Sequence, residues 1–174
     1  MQRKSLNPRT LAVIAVMAAI VFATTMIQIA LTPDGGYIHL GEAGILFSAF
    51  AFGPGIGAVV GGLGTALADV TLGFPVWAPA SLLIHGLQGW AAGWIARRWP
   101  GLGGLILAAI VGGLIVVLGY LPVGMYLEGQ AVALAAVPFN LLQVFIGGVI
   151  AIPLFHFVRR AYPPLMRYGG GGGR

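Results

Sequence analysis

Apolar residues fill this chain in long runs, and the charged residues stand almost entirely between those runs. Of the 174 residues, 59% are hydrophobic and only 7% are charged, whereas soluble domains carry about a quarter charged residues. A surface so poor in charge cannot be well hydrated. Runs of about 20 apolar residues are long enough to cross a bilayer as helices. The sequence therefore predicts an all-α integral membrane protein.

The nine Lys and Arg residues form three clusters, and each cluster flanks an apolar run. Basic residues in such positions are typical of the cytoplasmic ends of membrane spans. A groove for nucleic acid would need these charges together on one face, so the net charge of +5 does not indicate a nucleic-acid partner. The clusters are Arg3, Lys4 and Arg9; Arg97 and Arg98; and Arg159, Arg160, Arg167 and Arg174.

Turn signals and apolar runs divide the chain into six predicted transmembrane helices within one membrane domain, residues 1–168. Six spans place both termini on the same side, and the basic clusters make that side cytoplasmic. All four acidic residues then lie at or near the outside: Asp34, Glu42, Asp69 and Glu128. Residues 169–174 are predicted to be a flexible Gly-rich tail. The predicted spans are approximately 11–31, 41–52, 56–72, 77–96, 102–123 and 131–158, with an outer loop over 32–40.

Ionisable and amide side chains cluster in the outer half of these spans. At a helical rise of ~1.5 Å per residue, His85 and Gln88 lie roughly 12 and 16 Å below Trp77. Asn140 and Gln143 fall at similar depths in the last span. Because hydrocarbon cannot solvate such groups, a polar chamber that is open outside and closed below is the simplest arrangement that satisfies them. The predicted substrate-binding residues are His39, Glu42, Asp69, Trp77, His85, Gln88, Tyr120, Glu128, Phe139, Asn140 and Gln143.

Structural roles compete with this interpretation for several of these residues. Glu42 and Asp69 could cap helix ends, and either could pair with a histidine. Amides such as Asn140 and Gln143 often hydrogen-bond between helices in lipid. Three aromatic residues could be interfacial belt residues, which is the expectation for Tyr37 in particular: Tyr37, Trp77 and Tyr126. The position of the whole group at one depth favours a binding site.

Three motifs in the stretch 36–98 carry a family resemblance. They read G-Y-I-x-L-G-[acid], then G-P-x-x-G-A-x-x-G-G-L-G-x-A-L-A-D, then A-P-A-x-x-x-x-x-G-L-x-G. Two further segments follow, G-Y at 119–120 and A-A-V-P-F-N-L-L-Q at 135–143. Over nearly its whole length the chain resembles a substrate-binding S component of an energy-coupling factor (ECF) vitamin transporter. It is most similar to the branch for riboflavin, hydroxymethylpyrimidine and pyridoxine-type substrates, and differs from it by Glu42 for the common Asp and His85 for the common Lys.

The resemblance implies a six-helix subunit of a prokaryotic cell membrane that binds a vitamin or vitamin precursor from outside. It implies association with a transmembrane scaffold subunit and two cytoplasmic ATPases. In the family an alanine-x-x-x-alanine pair on the first helix docks the scaffold, and Ala15 and Ala19 match that pair. The chain has no P-loop motif, so it is not itself the ATPase. We expect no catalytic residue, cofactor or metal site.

The charges of the predicted chamber restrict its ligand. The outer half has acids and histidines but no Lys or Arg, so a phosphorylated ligand would lack a counter-ion. A neutral or cationic heterocycle is therefore predicted. Two other functions compete: an intramembrane enzyme that uses Ser81 and His85, which lie four residues apart on one helix, and a small homo-oligomeric channel. A channel would need polar residues along the full depth of a helix.

Overall fold

The computed structural model of the chain describes residues 7–31 and 37–168. Within them lie six α-helices, a pair of strands and a closing 3-10 helix. Residues 32–36 of the predicted outer loop, which include Asp34, lie outside the described residues, as do the ends 1–6 and 169–174. The elements are α1 (Pro8–Thr25), β1 (Gln28–Leu31), β2 (Tyr37–His39), α2 (Gly41–Phe52), α3 (Pro54–Thr71), α4 (Ala78–Arg98), α5 (Leu102–Leu127), α6 (Gln130–Ala161) and the 3-10 helix Pro163–Tyr168.

Local sequence explains where several helices begin and end. The Asn7 side chain accepts a hydrogen bond from the backbone N–H of Arg9 at 3.0 Å, so it caps the start of α1. Between α2 and α3, Gly53 has a φ of +84°, a conformation that favours glycine. Arg97 donates a hydrogen bond to the Phe52 carbonyl at 2.8 Å. It thereby provides a partner for one of the carbonyl groups that the end of α2 leaves unpaired.

The first predicted span is longer than the helix that forms. The sequence predicts a helix over 11–31, but α1 ends at Thr25 and residues 28–31 form β1, which pairs antiparallel with β2. The β-branched residues Ile27 and Ile29 suit an extended backbone better than a helix. The run carries no charged residue and is interrupted only by Thr24, Thr25 and Gln28, so its overall hydrophobicity did not indicate this change. The other five predicted spans correspond to α2–α6, and α2 has the predicted bounds.

Helix α2 lies at the centre of the bundle. Every residue of α2 except Gly44 is buried, and the helix packs against α1, α3, α4 and α6. A helix that is apolar on all sides must be surrounded by protein or by lipid, and for α2 the surroundings are largely protein. The largest hydrophobic side chains that are fully buried lie in and around it, and they are Val21, Ile45, Leu46, Phe52, Val60, Leu105 and Val116.

Small residues allow α3 and α4 to pack with their backbones close together. A Cβ atom on Gly57 would lie 2.7 Å from the Gly89 carbonyl oxygen, and one on Gly61 would lie 2.6 Å from the His85 carbonyl oxygen. Thr65, one turn further along, is also buried. The small-residue face of α3 is therefore an internal packing face.

Charge separates the two ends of the bundle, because consecutive helices run in opposite directions. One end, the basic end, carries Arg9, Arg97, Arg98, Arg159 and Arg160, and the other, the acidic end, carries Glu42, Asp69 and Glu128. Of the described helices, α1, α3, α5 and α6 are long and apolar enough to cross a membrane. Helix α2 is shorter, at 12 residues.

Candidate binding site

A cavity opens at the acidic end of the bundle, between β2, the turn after α3, and helices α4, α5 and α6. Its empty space, including the solvent in the open mouth, is about 760 Å³. Two of the lining residues are acidic, and none of the described lining residues is Lys or Arg. The cavity is lined by Tyr37, His39, Asp69, Phe74, Trp77, Ser81, His85, Tyr120, Leu121, Gly124, Glu128, Ala133, Ala136, Asn140 and Gln143.

Aromatic rings form much of the cavity wall. The ring centroid of Tyr120 lies 5.9 Å from that of Trp77 and 5.6 Å from that of His85. On β2 and the turn after α3, the rings of Tyr37 and Phe74 are 5.8 Å apart. Such rings present flat apolar faces on which a planar ring can stack. The wall therefore favours a flat heterocyclic ligand.

A buried polar network lies directly behind this wall; it consists of Glu42, His85, Gln88 and Gln143. Gln88 donates a short hydrogen bond to Glu42, and its Oε1 lies 2.8 Å from His85 Nδ1. His85 Nδ1 also lies 3.4 Å from Glu42 Oε1. Gln143 donates to the same Oε1 at 3.5 Å. These hydrogen bonds link α2, α4 and α6 and fix the positions of the three helices relative to one another along the bundle axis.

The strand β2 is joined to this network by His39. The backbone N–H of His39 donates to Gln143 Oε1 at 3.1 Å, and its ring Nδ1 accepts from the backbone N–H of Gly41 at 3.0 Å. A ring nitrogen can accept only when it carries no proton, so the imidazole is neutral in this arrangement. Burial, and to a smaller extent the nearby His85, lowers the pKa of His39 to about 3. Both observations describe a histidine that stays uncharged at neutral pH.

Tyr37 joins β2 to α3. Its hydroxyl donates to Asp69 Oδ1 at 3.1 Å. Burial, followed by the neighbouring Asp69 carboxylate, raises the pKa of the Tyr37 hydroxyl well above its usual value, so this group remains a donor. Because Tyr37 and His39 are two residues apart on a strand, both side chains point to the same face, which here is the cavity.

The structure brings most of the predicted binding residues to this cavity. Glu42 and Gln88 do not line it but lie behind it in the polar network, where neither has exposed surface. Phe139 is partly buried on α6 and is not among the described lining residues. The predicted residues that line the cavity are His39, Asp69, Trp77, His85, Tyr120, Glu128, Asn140 and Gln143.

Sequence reasoning missed several lining residues. Tyr37 was expected at the membrane interface, whereas its ring lines the cavity and its hydroxyl bonds Asp69. Alternation places Tyr37 on the same face of β2 as His39, but this signal could not be used because the strand itself was not predicted. The small and apolar lining residues carry no such signal, because they differ in no way from packing residues: Leu121, Gly124, Ala133 and Ala136.

The proposed nucleophile and base of an intramembrane enzyme do not pair. The Ser81 hydroxyl lies 2.5 Å from the Tyr120 hydroxyl, while His85 Nδ1 bonds Gln88 and Glu42. A serine nucleophile needs its base within hydrogen-bond reach and a third group to orient that base. Ser81 and His85 each bond other side chains and not one another. In the part of the chain that the structure describes, no three His, Asp or Glu side chains group to hold a metal ion.

Comparison with known proteins identifies the family. Residues 5–160 match the sequence profile described as ECF-type riboflavin transporter, S component. An uncharacterised protein of Pyrococcus woesei, named for its place in the gap 3' region, is 32% identical over 148 residues, which cover 85% of this chain and 99% of that protein. The thiamine precursor transporter HmpT of Lactococcus lactis subsp. cremoris is 31% identical over 156 residues, which cover 88% of this chain and 90% of that protein. With its membrane-length helices, the chain is a multi-pass membrane protein that belongs to the family of ECF-type riboflavin transporter S components.

Proposed function

We propose that the cavity at the acidic end captures a vitamin or vitamin precursor from outside the cell, and that the ligand is a neutral or cationic heterocycle. The observation that carries this proposal is the combination of aromatic walls with amide and carboxylate groups in one cavity. Aromatic faces bind a flat ring, while Asn140 and Gln143 can read its hydrogen-bonding edge. A relative named as a thiamine precursor transporter and a family named for riboflavin support a vitamin-like ligand.

The proposed ligand carries no phosphate. Tight binding of a phosphate ester generally uses Arg or Lys donors. The described residues that line the cavity include two carboxylates, Asp69 and Glu128, and no basic residue other than the two histidines. His39 is neutral in its present hydrogen bonds, and His85 is engaged with Glu42. An anionic ligand would therefore meet repulsion rather than a counter-charge.

We propose that all six helices cross the membrane, with both termini in the cytoplasm. Helices α2 and α4 are the two that composition alone does not support, since α2 is short and α4 holds His85 and Gln88. Protein surrounds α2 on almost every side, and the polar residues of α4 face inward. A helix enclosed by others needs less apolar surface than one that faces lipid. The basic end is then cytoplasmic, as the positive-inside rule requires.

Delivery of the ligand depends on partners, which we propose to be a membrane scaffold subunit and two cytoplasmic ATPases. The proposed docking residues Ala15 and Ala19 lie on an exposed face of α1, together with apolar neighbours such as Val16 and Ile20. Small residues on an exposed helix face allow a second helix to approach closely in lipid. This exposure distinguishes α1 from α3, whose small-residue face is buried.

Mass spectrometry of the solute that co-purifies with the protein tests the proposal. We expect a heterocyclic vitamin or precursor in near-stoichiometric amount, without a phosphate group. Washing the preparation should release it, and re-addition should raise the thermal midpoint because a ligand stabilises the state that binds it. A phosphorylated solute would refute the ligand class. Absence of any retained solute, together with ion conduction in planar bilayers, would favour the channel instead.

A further inference from the structure

Four side chains from four different elements form a connected chain along one side of the cavity. They are Tyr37 of β2, Asp69 of α3, Ser81 of α4 and Tyr120 of α5, and we call them the Asp69 chain. The Tyr37 hydroxyl donates to Asp69 Oδ1 at 3.1 Å. The Ser81 hydroxyl interacts with the same carboxylate, and it also lies 2.5 Å from the Tyr120 hydroxyl.

The carboxylate sets the direction of the hydrogen bonds in the Asp69 chain. An ionised carboxylate accepts hydrogen bonds and donates none. The Ser81 O–H is therefore directed to Asp69, which leaves the Ser81 oxygen to accept from Tyr120. The hydroxyl protons of both tyrosines then point toward Asp69, one directly and the other through Ser81. This arrangement restrains the rotation of both tyrosine hydroxyls.

The middle of the Asp69 chain is buried in rigid structure, and its two ends lie at the cavity. Asp69 is 8% exposed and Ser81 only 2%. Thr65 on α3 donates to the Ser81 carbonyl of α4 at 3.5 Å, where the two helices pack closely. The rings of Tyr37 and Tyr120 are only partly buried and line the cavity. Groups held on rigid elements can fix such rings in one orientation.

We propose that Asp69 and Ser81 are positioning residues, which hold the ring of Tyr120 in the aromatic wall and the ring of Tyr37, with β2, at the cavity before a solute arrives. This inference rests on the proposed function, since it takes the cavity to be the substrate site. It gives Asp69 and Ser81 a role that requires no contact with the solute. A wall that is ordered in the free protein loses less entropy on binding than one that the solute must order.

Hydroxyl exchange measured by NMR tests the inference on the full-length protein without any solute. The protein is labelled with ¹³Cζ-tyrosine in equal volumes of H₂O and D₂O, where a hydroxyl that exchanges slowly gives two ¹³Cζ signals. We expect two signals for Tyr37 and Tyr120 and one for Tyr126, which is 88% exposed. In Ser81→Ala the exchange rate of the Tyr120 hydroxyl should rise about tenfold or more, because that hydroxyl loses its acceptor. Tyr37 should keep its two signals.

Three further variants separate positioning from a general loosening of the bundle. Ser81→Thr keeps the hydroxyl and should restore slow exchange at Tyr120. Asp69→Ala removes the shared acceptor and should accelerate exchange at both Tyr37 and Tyr120. Thr65→Val is the matched control, because it removes a neighbouring buried hydroxyl that lies outside the Asp69 chain. It should leave the exchange at Tyr120 unchanged within about twofold.

Three results would overturn the inference: unchanged exchange at Tyr120 in Ser81→Ala, equal acceleration at Tyr37 and Tyr120 in that variant, or an equal effect of Thr65→Val. Because no solute is added, these outcomes do not depend on the proposed function. If a heterocyclic solute co-purifies but Ser81→Ala leaves Tyr120 unchanged, the proposed function stands and the inference fails.

Discussion

Glu42 has no exposed surface, yet it carries a carboxylate, so its burial depends on the side chains that bond it. Two amides and an imidazole from α4 and α6 surround its oxygens. Leaving a buried charge without such partners costs about 3–5 kcal/mol. One turn along α6 from Gln143, the backbone approaches so closely that a Cβ on Gly147 would overlap the Glu42 side chain. Glu42 is thus fixed in position and orients His85 and Gln143 toward the cavity.

In the structure β2 is held at the cavity by the hydrogen bonds of His39, and we call this arrangement the closed state. Protonation of His39 should weaken it. The neutral imidazole accepts from Gly41, and burial lowers its pKa to about 3 from about 6.5 in water. If β2 is released, the His39 ring becomes exposed and its pKa returns to about 6.5. The closed state therefore keeps its full stability above about pH 6.5 and loses stability as the pH falls toward 3. Ligand affinity should fall by up to about tenfold per pH unit in that window, as measured by calorimetry.

The matched control for this pH effect is His39→Asn. The asparagine oxygen can accept the Gly41 N–H but does not titrate, so the variant should retain affinity at neutral pH and lose the additional decrease in acid. A ligand that itself titrates would affect both proteins equally. An identical pH profile in the two proteins would show that His39 does not control β2.

At the scale of whole elements, the helices could be predicted and the strand pair could not. Apolar runs with turn residues between them gave α2 to α6 close to their bounds, because in lipid a helix satisfies its own backbone. β1 lies within the apolar run that begins with α1, and its pairing partner is separated from it in sequence. That pairing depends on contacts between segments, which local composition does not report.

The exposed face of α1 gives an element-scale prediction. Replacing Ala15 or Ala19 by Trp should abolish uptake in cells that contain the scaffold and ATPases, because a bulky ring blocks close helix approach. Binding of the solute to the purified variant should be unchanged within about twofold, since neither residue touches the cavity. Radiolabelled uptake and calorimetry measure the two quantities separately.

Leu83→Trp is the matched control, because Leu83 is 72% exposed on α4 and lies on a different helix. It adds a ring of the same kind to another exposed face, and uptake should persist. If Ala15→Trp and Ala19→Trp lost solute binding itself, the α1 face would contribute to internal packing. Equal loss of uptake in all three variants would indicate a general effect on insertion or folding.

In the whole molecule, the two ends of the bundle differ in how they are filled. At the basic end, the rings of Phe50 and Phe155 pack 5.9 Å apart, and Leu165 of the 3-10 helix packs against the same core. At the acidic end lies the cavity. Among the described residues, a cavity at one end and packed rings at the other suit a bundle that holds a solute.

The contrast between polar side chains and the apolar helices that carry them explains how much of the site the sequence could predict. His85, Asn140 and Gln143 were identifiable because polar groups in apolar helices are costly and need a reason to be there. Glu42 and Gln88 were found by the same signal, yet they lie behind the cavity, since depth along a helix does not fix the direction of a side chain. Phe139 was predicted as a ring that can stack on a flat ligand, but it is not among the described lining residues, because adjacent helical residues such as Phe139 and Asn140 point to different faces.

Solute flux into sealed vesicles tests most directly whether this molecule is a binder that depends on partners for transport. The protein is reconstituted alone, or with the scaffold and ATPases supplied with ATP, and the solute identified by co-purification is added outside. We predict saturable binding but no accumulation for the protein alone, and accumulation only with the partners and ATP. Sustained flux of the solute through vesicles that contain this polypeptide alone would contradict the account.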